Sequence, residues 1–93
     1  MYKFNGNDYE LIKNVKDGFD FEEVQSKFSD FYDKYDYVFG DWAYGKLRLK
    51  GFYDSESKEV KDYNDIKNLD KHLEENCAFE CKHFLIKKDN TVE

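Results

Sequence analysis

Hydrophobic and polar positions along the 93-residue chain change period several times, and each change marks an element. Tyr2-Lys3-Phe4 and Asp8–Val15 flank Asn5-Gly6, two residues that tolerate positive φ and suit a type I′ turn. A hairpin is expected there, with Tyr9, Leu11 and Lys13 on one side of its second strand and Ile12 on the other. The stretch DGFDFEEVQSKFSDFYDKYDY then shifts to a helical period. Phe21, Val24, Phe28, Phe31, Tyr32 and Tyr35 fall on one face, and Glu, Lys, Ser and Asp fill the other. Asp20 with Glu23 three residues later has the form of a capping box.

Two alternating runs follow, Tyr35–Trp42 and Lys46–Tyr53, joined around Ala43-Tyr44-Gly45 as a second hairpin. The polar stretch DSESKEVKDYND reads as a surface loop with a short strand at Val60. Beyond it Ile66, Leu69 and Leu73 are spaced for a second helix, capped by Asn64 or Asp62 and running into Asn76 and Cys77. Cys81–Lys88 carries Phe84, Leu85 and Ile86 together, the pattern of a strand buried on both sides. The order β-β-α-β-β-α-β predicts an α+β fold: a mainly antiparallel sheet of about five strands, with two helices packed on one face. Residues 1–88 form one domain, and 89–93 are expected to be a disordered tail.

The second hairpin can take two registers. A two-residue turn at Tyr44-Gly45 pairs Trp42 with Leu47 and Asp41 with Arg48, making a cross-strand ion pair. A three-residue loop with Gly45 in the left-handed position pairs Trp42 with Lys46 instead. Trp42, Lys46 and Arg48 would then share the outer face and Phe39, Leu47 and Leu49 the core face. The three-residue loop is preferred, because Tyr is a poor residue for the positive φ of a type I′ turn. In either case Lys46, Arg48 and Lys50 form a stripe opposite the leucines. Gly40 and Gly51 predict that something packs close to the strand backbone.

Composition sharpens this picture at one place. The chain is net −6, with 21 acids against 15 Lys and Arg, which excludes general DNA binding and a polybasic membrane anchor. Yet DYVFGDWAYGKLRLKGF holds the sole Trp, the sole Arg and three of the five glycines, and residues 37–53 are locally cationic. The start MYKFNGNDYE has no apolar run of signal type, and no segment approaches the roughly 18–20 apolar residues of a spanning helix. A soluble cytoplasmic protein is expected, with Cys77 and Cys81 reduced and a monomer favoured over an obligate oligomer.

Two clusters could carry chemistry. His72, Cys77, Cys81 and His83 are zinc-type ligands in close sequence, but H-x4-C-x3-C-x-H is not a standard zinc spacing, and C-x3-C is not the redox C-x-x-C. No cofactor is therefore expected beyond a possible zinc. The second cluster is Asp41, Trp42, Tyr44, Lys46, Arg48 and Lys50, which combines the residue types enriched at binding hot spots. No nucleophile–base constellation, phosphate loop or H-E-x-x-H motif is present, so a non-enzymatic protein is the leading expectation.

The run YDYVFGDWAYGKLRLKGFY, with upstream KDGFD and downstream ENCAFECKHFLIK, resembles the YutD-like family of small bacterial proteins from Firmicutes and their relatives. The resemblance covers about Tyr9 to Lys88 and rests on GDW-x-YG-x-LRLKGF. It implies a compact α+β domain and carries over no catalytic residues, because the family is a domain of unknown function. In the last segment the match lies in Cys77 and Cys81 rather than in His72 or His83, which weakens the zinc reading. The leading reading is a binding or adaptor module that docks a protein or a structured RNA through the Asp41–Lys50 hairpin face. Two alternatives stand beside it: a small-anion or nucleotide-phosphate binding protein with an undiscovered activity, and a Cys/His zinc-binding or redox protein.

Overall fold

A five-stranded antiparallel sheet organises the chain in a computed structural model that describes residues 1–76 and 81–89, apart from the side chain of Asn76. The strands are β1 (Tyr2–Phe4), β2 (Asn7–Val15), β3 (Tyr37–Ala43), β4 (Lys46–Phe52) and β5 (His83–Lys88), and their spatial order is β1-β2-β5-β3-β4. The helices are α1 (Phe21–Lys27) and α2 (Leu69–Asn76). Short 3-10 turns at Asp30–Tyr32, Asp62–Asn64 and Ile66–Asn68 are added to the expected order. Strand β5 is central, which explains its unbroken apolar run: Phe84, Leu85 and Ile86 are all buried.

Directly opposed residues of antiparallel strands share a face, so the pairings sort the core. On the first face Val38, Gly40 and Trp42 of β3 lie beside Leu47 and Leu49 of β4, Phe84 and Ile86 of β5, and Tyr9 and Leu11 of β2. Helix α1 covers this face with Val24, joined by Phe19, Phe28 and Tyr32. On the second face Phe39, Phe52 and Leu85 pack under Leu69 and Leu73 of α2, with Ile66 beside them. The expectation of both helices on one face is thus corrected: they sandwich the sheet. A strand pattern such as Val38-Phe39 or Phe84-Leu85-Ile86 feeds both faces, and each needs its own cover.

The first helix is shorter than its apolar period suggested. Asp20 caps it, accepting from the Glu23 N–H at 3.2 Å, but Phe28 is already extended and Ser29 follows suit. Ser and Asp compete with the backbone for hydrogen bonds and favour helix ends. Here Asp30 and Asp33 are taken by Asn5, whose side-chain amide donates to them at 2.7 and 2.6 Å. Phe31 consequently points outward, 56% exposed. The expected second helix opens as the 3-10 turn Ile66–Asn68, whose cap is Asp65, accepting from the Lys67 N–H at 3.0 Å, rather than Asn64 or Asp62. No strand forms at Val60.

The Asn5-Gly6 turn is as expected, with φ of 53° and 84°. A bulge between Leu11 and Lys13 turns Lys13 away from the face of Tyr9 and Leu11 to pair with Leu85, a correction to the simple alternation. Gly40 and Gly51 leave room for rings on the first face. A Cβ at Gly40 would lie 2.2 Å from the Phe84 ring, and one at Gly51 would lie 2.1 Å from the Tyr35 ring. Of the expected tail, Asp89 is held by its N–H to the Asp8 carbonyl at 2.8 Å, and 90–93 lie outside the described residues. No described helix is long and apolar enough to cross a membrane.

Candidate functional site

The β3–β4 hairpin takes the register that the sequence disfavoured. Ala43 pairs with Lys46, Trp42 with Leu47 and Asp41 with Arg48, so the turn has two residues and Tyr44 and Gly45 adopt φ of 54° and 75°. The sheet supplies the reason. In the slipped register Leu47 would leave the α1 side and Arg48 would enter it, exchanging a buried leucine for a cation. Tyr44 accepts an unfavourable backbone conformation so that the strand behind it stays in phase.

Arg48 and Asp41 form a bidentate pair, Nε to Oδ1 at 2.9 Å and Nη2 to Oδ2 at 2.6 Å. The Asp41 side chain is 5% exposed and that of Arg48 53%. The pair is therefore a buried carboxylate closed off by a cation that keeps an open side. The hydrogen bond from Arg48 to Asp41 raises the guanidinium pKa above its ordinary value, against the opposing effect of desolvation. Lys46 is exposed beyond them. Lys50 is half-buried, its Nζ 5.2 Å from the Phe52 ring centroid and 5.9 Å from that of Tyr63.

Trp42 does not join this face. It lies on the α1 side, half-buried, and its Nε1–H donates to the Gly18 carbonyl at 2.8 Å. Lys82 stacks over it at 4.6 Å. Gly18 itself follows two left-handed residues, Lys16 and Asp17 with φ of 55° and 60°. A Cβ on Gly18 would meet the His83 backbone at 2.6 Å. The segments KDGF and GDW thus lock together over the start of β5. Much of what makes the hairpin stretch unusual serves this joint, and of the six candidate residues Asp41, Lys46, Arg48 and Lys50 share one face, Trp42 occupies the other and Tyr44 stands at the tip, wholly exposed.

The zinc-type residues divide. His72 on α2 and His83 on β5 both flank Phe39, with ring centroids 5.5 and 5.7 Å away. His83 is buried; its Nδ1 lies 2.6 Å from the Cys81 carbonyl oxygen, and its Nε2 has no hydrogen-bond partner among the described residues. Cys81 is a disulfide cysteine, which corrects the expectation of a reduced thiol there. Cys77 lies outside the described residues. Among the described residues no three His, Cys, Asp or Glu side chains converge on a metal-sized point. Burial, then the Lys50 charge, holds the His72 pKa below its ordinary value.

The cationic stripe faces a second wall that sequence reading missed. A 180 Å³ pocket is formed by Phe39, Asp41, Arg48, Leu49, Lys50 and His72. It adjoins a larger cleft whose far side is Tyr63, Lys67 and Lys71. The spacing of Lys67 and Lys71 marks them as helix neighbours, but only the placement of α2 on the second face brings them opposite Lys50.

Comparison with known proteins agrees with these motifs. The family model described as "Putative antitoxin YutD-like" matches residues 3–87. A Bacillus subtilis (strain 168) protein named "Putative antitoxin YutD" is 43% identical over 88 residues, covering 95% of this chain and 97% of that protein. The solution NMR structure of protein yutD from B. subtilis superposes with a TM-score of 0.73 at 42% identity, covering 91% of this chain and 77% of that one. With a matching sequence model, a relative of nearly equal length and the same fold, the chain belongs to the YutD-like family.

Proposed function

We propose that the chain is a non-enzymatic binding module that docks a protein partner through the tip and cationic side of the β3–β4 hairpin. The observation that carries this reading is Tyr44. Its side chain is 102% exposed while its backbone sits at φ 54°. A non-glycine residue in the left-handed region costs about 1–2 kcal/mol, and Asn, Asp or Gly would suit the turn better. The ring contributes no burial to the fold in return. A bulky aromatic kept at a strained, solvent-facing tip is suited to insertion into another molecule. Lys46 and Arg48 flank it on the second face and favour an acidic rim on the partner. An antitoxin acts against a toxin, so the relative's name fits a protein that works by contact.

Affinity capture with the native chain, with Tyr44→Asn and with Arg48→Ala plus Lys50→Ala tests the reading. A partner held by the native chain and lost by Tyr44→Asn is the expected result. Equal capture by all three, or none by any, refutes it. Capture abolished by ribonuclease would show that the hairpin docks a structured RNA instead.

A further inference from the structure

The hairpin tip leaves unused the larger cleft on the second face, between β4 and the segment from Asp62 to Glu75. Its volume is about 610 Å³, within the roughly 300–1,000 Å³ of small-molecule sites. Lys67 and Lys71 lie four residues apart along the 3-10 turn and α2, and Lys50 projects from β4 on the other wall. Lys67 shares its charge with Asp65 at 3.6 Å. Among the described residues no carboxylate pairs with Lys50 or Lys71. A chain of net charge −6 thus directs three ammonium groups at one cavity, two of them without a carboxylate partner among the described residues.

The remaining lining narrows the ligand. Tyr63 is 68% exposed and presents an aromatic ring to the cleft. Asp62 and Glu75 also line the cleft. Two carboxylates would repel a bare inorganic anion or an acidic peptide, but they are acceptors suited to sugar hydroxyls. An aromatic ring, hydroxyl acceptors and a cationic group within one cavity match the three parts of one ligand class. We propose that this cleft binds a nucleotide, its phosphates on Lys50, Lys67 and Lys71, its ribose hydroxyls on a lining carboxylate, and its base stacked on Tyr63.

The experiment titrates the full chain with ATP, adenosine and inorganic pyrophosphate, following backbone amide shifts and binding heat. ATP is expected to bind more tightly than either fragment and to move amides from Lys50 and from 62–75. Lys71→Glu lies on an exposed position and leaves the core intact; it should weaken ATP about tenfold or more, the loss of at least one charge-assisted contact. Tyr63→Ala should weaken ATP about tenfold, as the loss of a stacking platform does, and leave pyrophosphate unchanged. Lys58→Glu, on the exposed loop outside the cleft, should change nothing. Absence of ATP binding at millimolar concentration, ATP binding indifferent to Lys71→Glu, or pyrophosphate binding as tightly as ATP would each overturn the proposal. Lys50 borders both surfaces, but the titrated variants Lys71→Glu and Tyr63→Ala lie outside the hairpin and Tyr44→Asn lies outside the cleft, so the two readings fail separately.

Discussion

The sharpest consequence of the hairpin geometry is that one substitution should improve the fold while removing the proposed docking contact. Tyr44 occupies the first position of a type I′ turn at φ 54°, and its ring meets solvent on all sides. Asn is several-fold enriched in that backbone region because its short polar side chain bonds locally. Tyr44→Asn therefore relieves part of the left-handed penalty and forfeits no packing, a gain of about 1 kcal/mol. For a domain of this length that corresponds to a Tm rise of roughly 4–8 °C. Tyr44→Gly relieves the same strain but adds freedom to the unfolded chain, so its gain should be smaller. Tyr44→Ala keeps a Cβ at positive φ and should leave stability nearly unchanged. Thermal and urea unfolding followed by circular dichroism would rank the three. If Tyr44→Asn lowers both midpoints, the ring makes a contact the fold requires. Its exposure would then be no argument for a partner.

Other substitutions probe the joints around the hairpin. Gly18→Ala places a Cβ 2.6 Å from the His83 main chain, where neither backbone can yield, and should cost about 3 kcal/mol in urea unfolding. Trp42→Phe keeps most of the packing but loses the indole bond to the Gly18 carbonyl, for a loss of about 1 kcal/mol by the same assay. Arg48→Ala leaves the buried Asp41 carboxylate without its guanidinium and should cost about 1–2 kcal/mol, moderated by the open side through which water can reach it. His72 sets a pH signature. Its folded pKa lies below the ordinary value, from burial and then Lys50. At pH above the unfolded value of about 6.5 both states are neutral. As pH falls through that value the unfolded state gains the proton first, and stability declines. Urea midpoints should drop between pH 7 and 5.5, and His72→Gln should flatten that segment; an equal slope in both proteins would refute the assignment.

The elements were legible where local pattern and tertiary demand coincide. Asn5-Gly6 announces its turn, Asp20 its helix start, and the Phe84-Leu85-Ile86 run its central strand. Gly40 and Gly51 rightly signalled close approach. What escaped was settled between distant segments. The helix stops at Phe28, and beyond it Asp30 and Asp33 bond to Asn5 in the first hairpin, a contact no local period contains. The hairpin register follows from which face α1 covers, and it overrides the poor fit of Tyr44 to its turn. For the same reason Trp42 left the cationic group and Lys67 and Lys71 joined it. Side-chain periodicity places residues on a face but cannot say what lies across from that face.

The bond between Trp42 and Gly18 has a mechanical consequence. Beyond the Trp42 N–H, which reaches the Lys82 carbonyl at 3.0 Å, the hairpin runs past β5 with no strand beside it on that side among the described residues. The projecting end acts as a lever, and its fulcrum is the indole wedged against the turn between β2 and α1. A load applied at Tyr44 is borne in part by that hydrogen bond, which links the hairpin to the face of the sheet away from its cationic stripe. Trp42 is also the sole tryptophan of the chain. Its emission therefore reads this fulcrum alone, and the molecule carries its own optical gauge of whatever pulls on the hairpin.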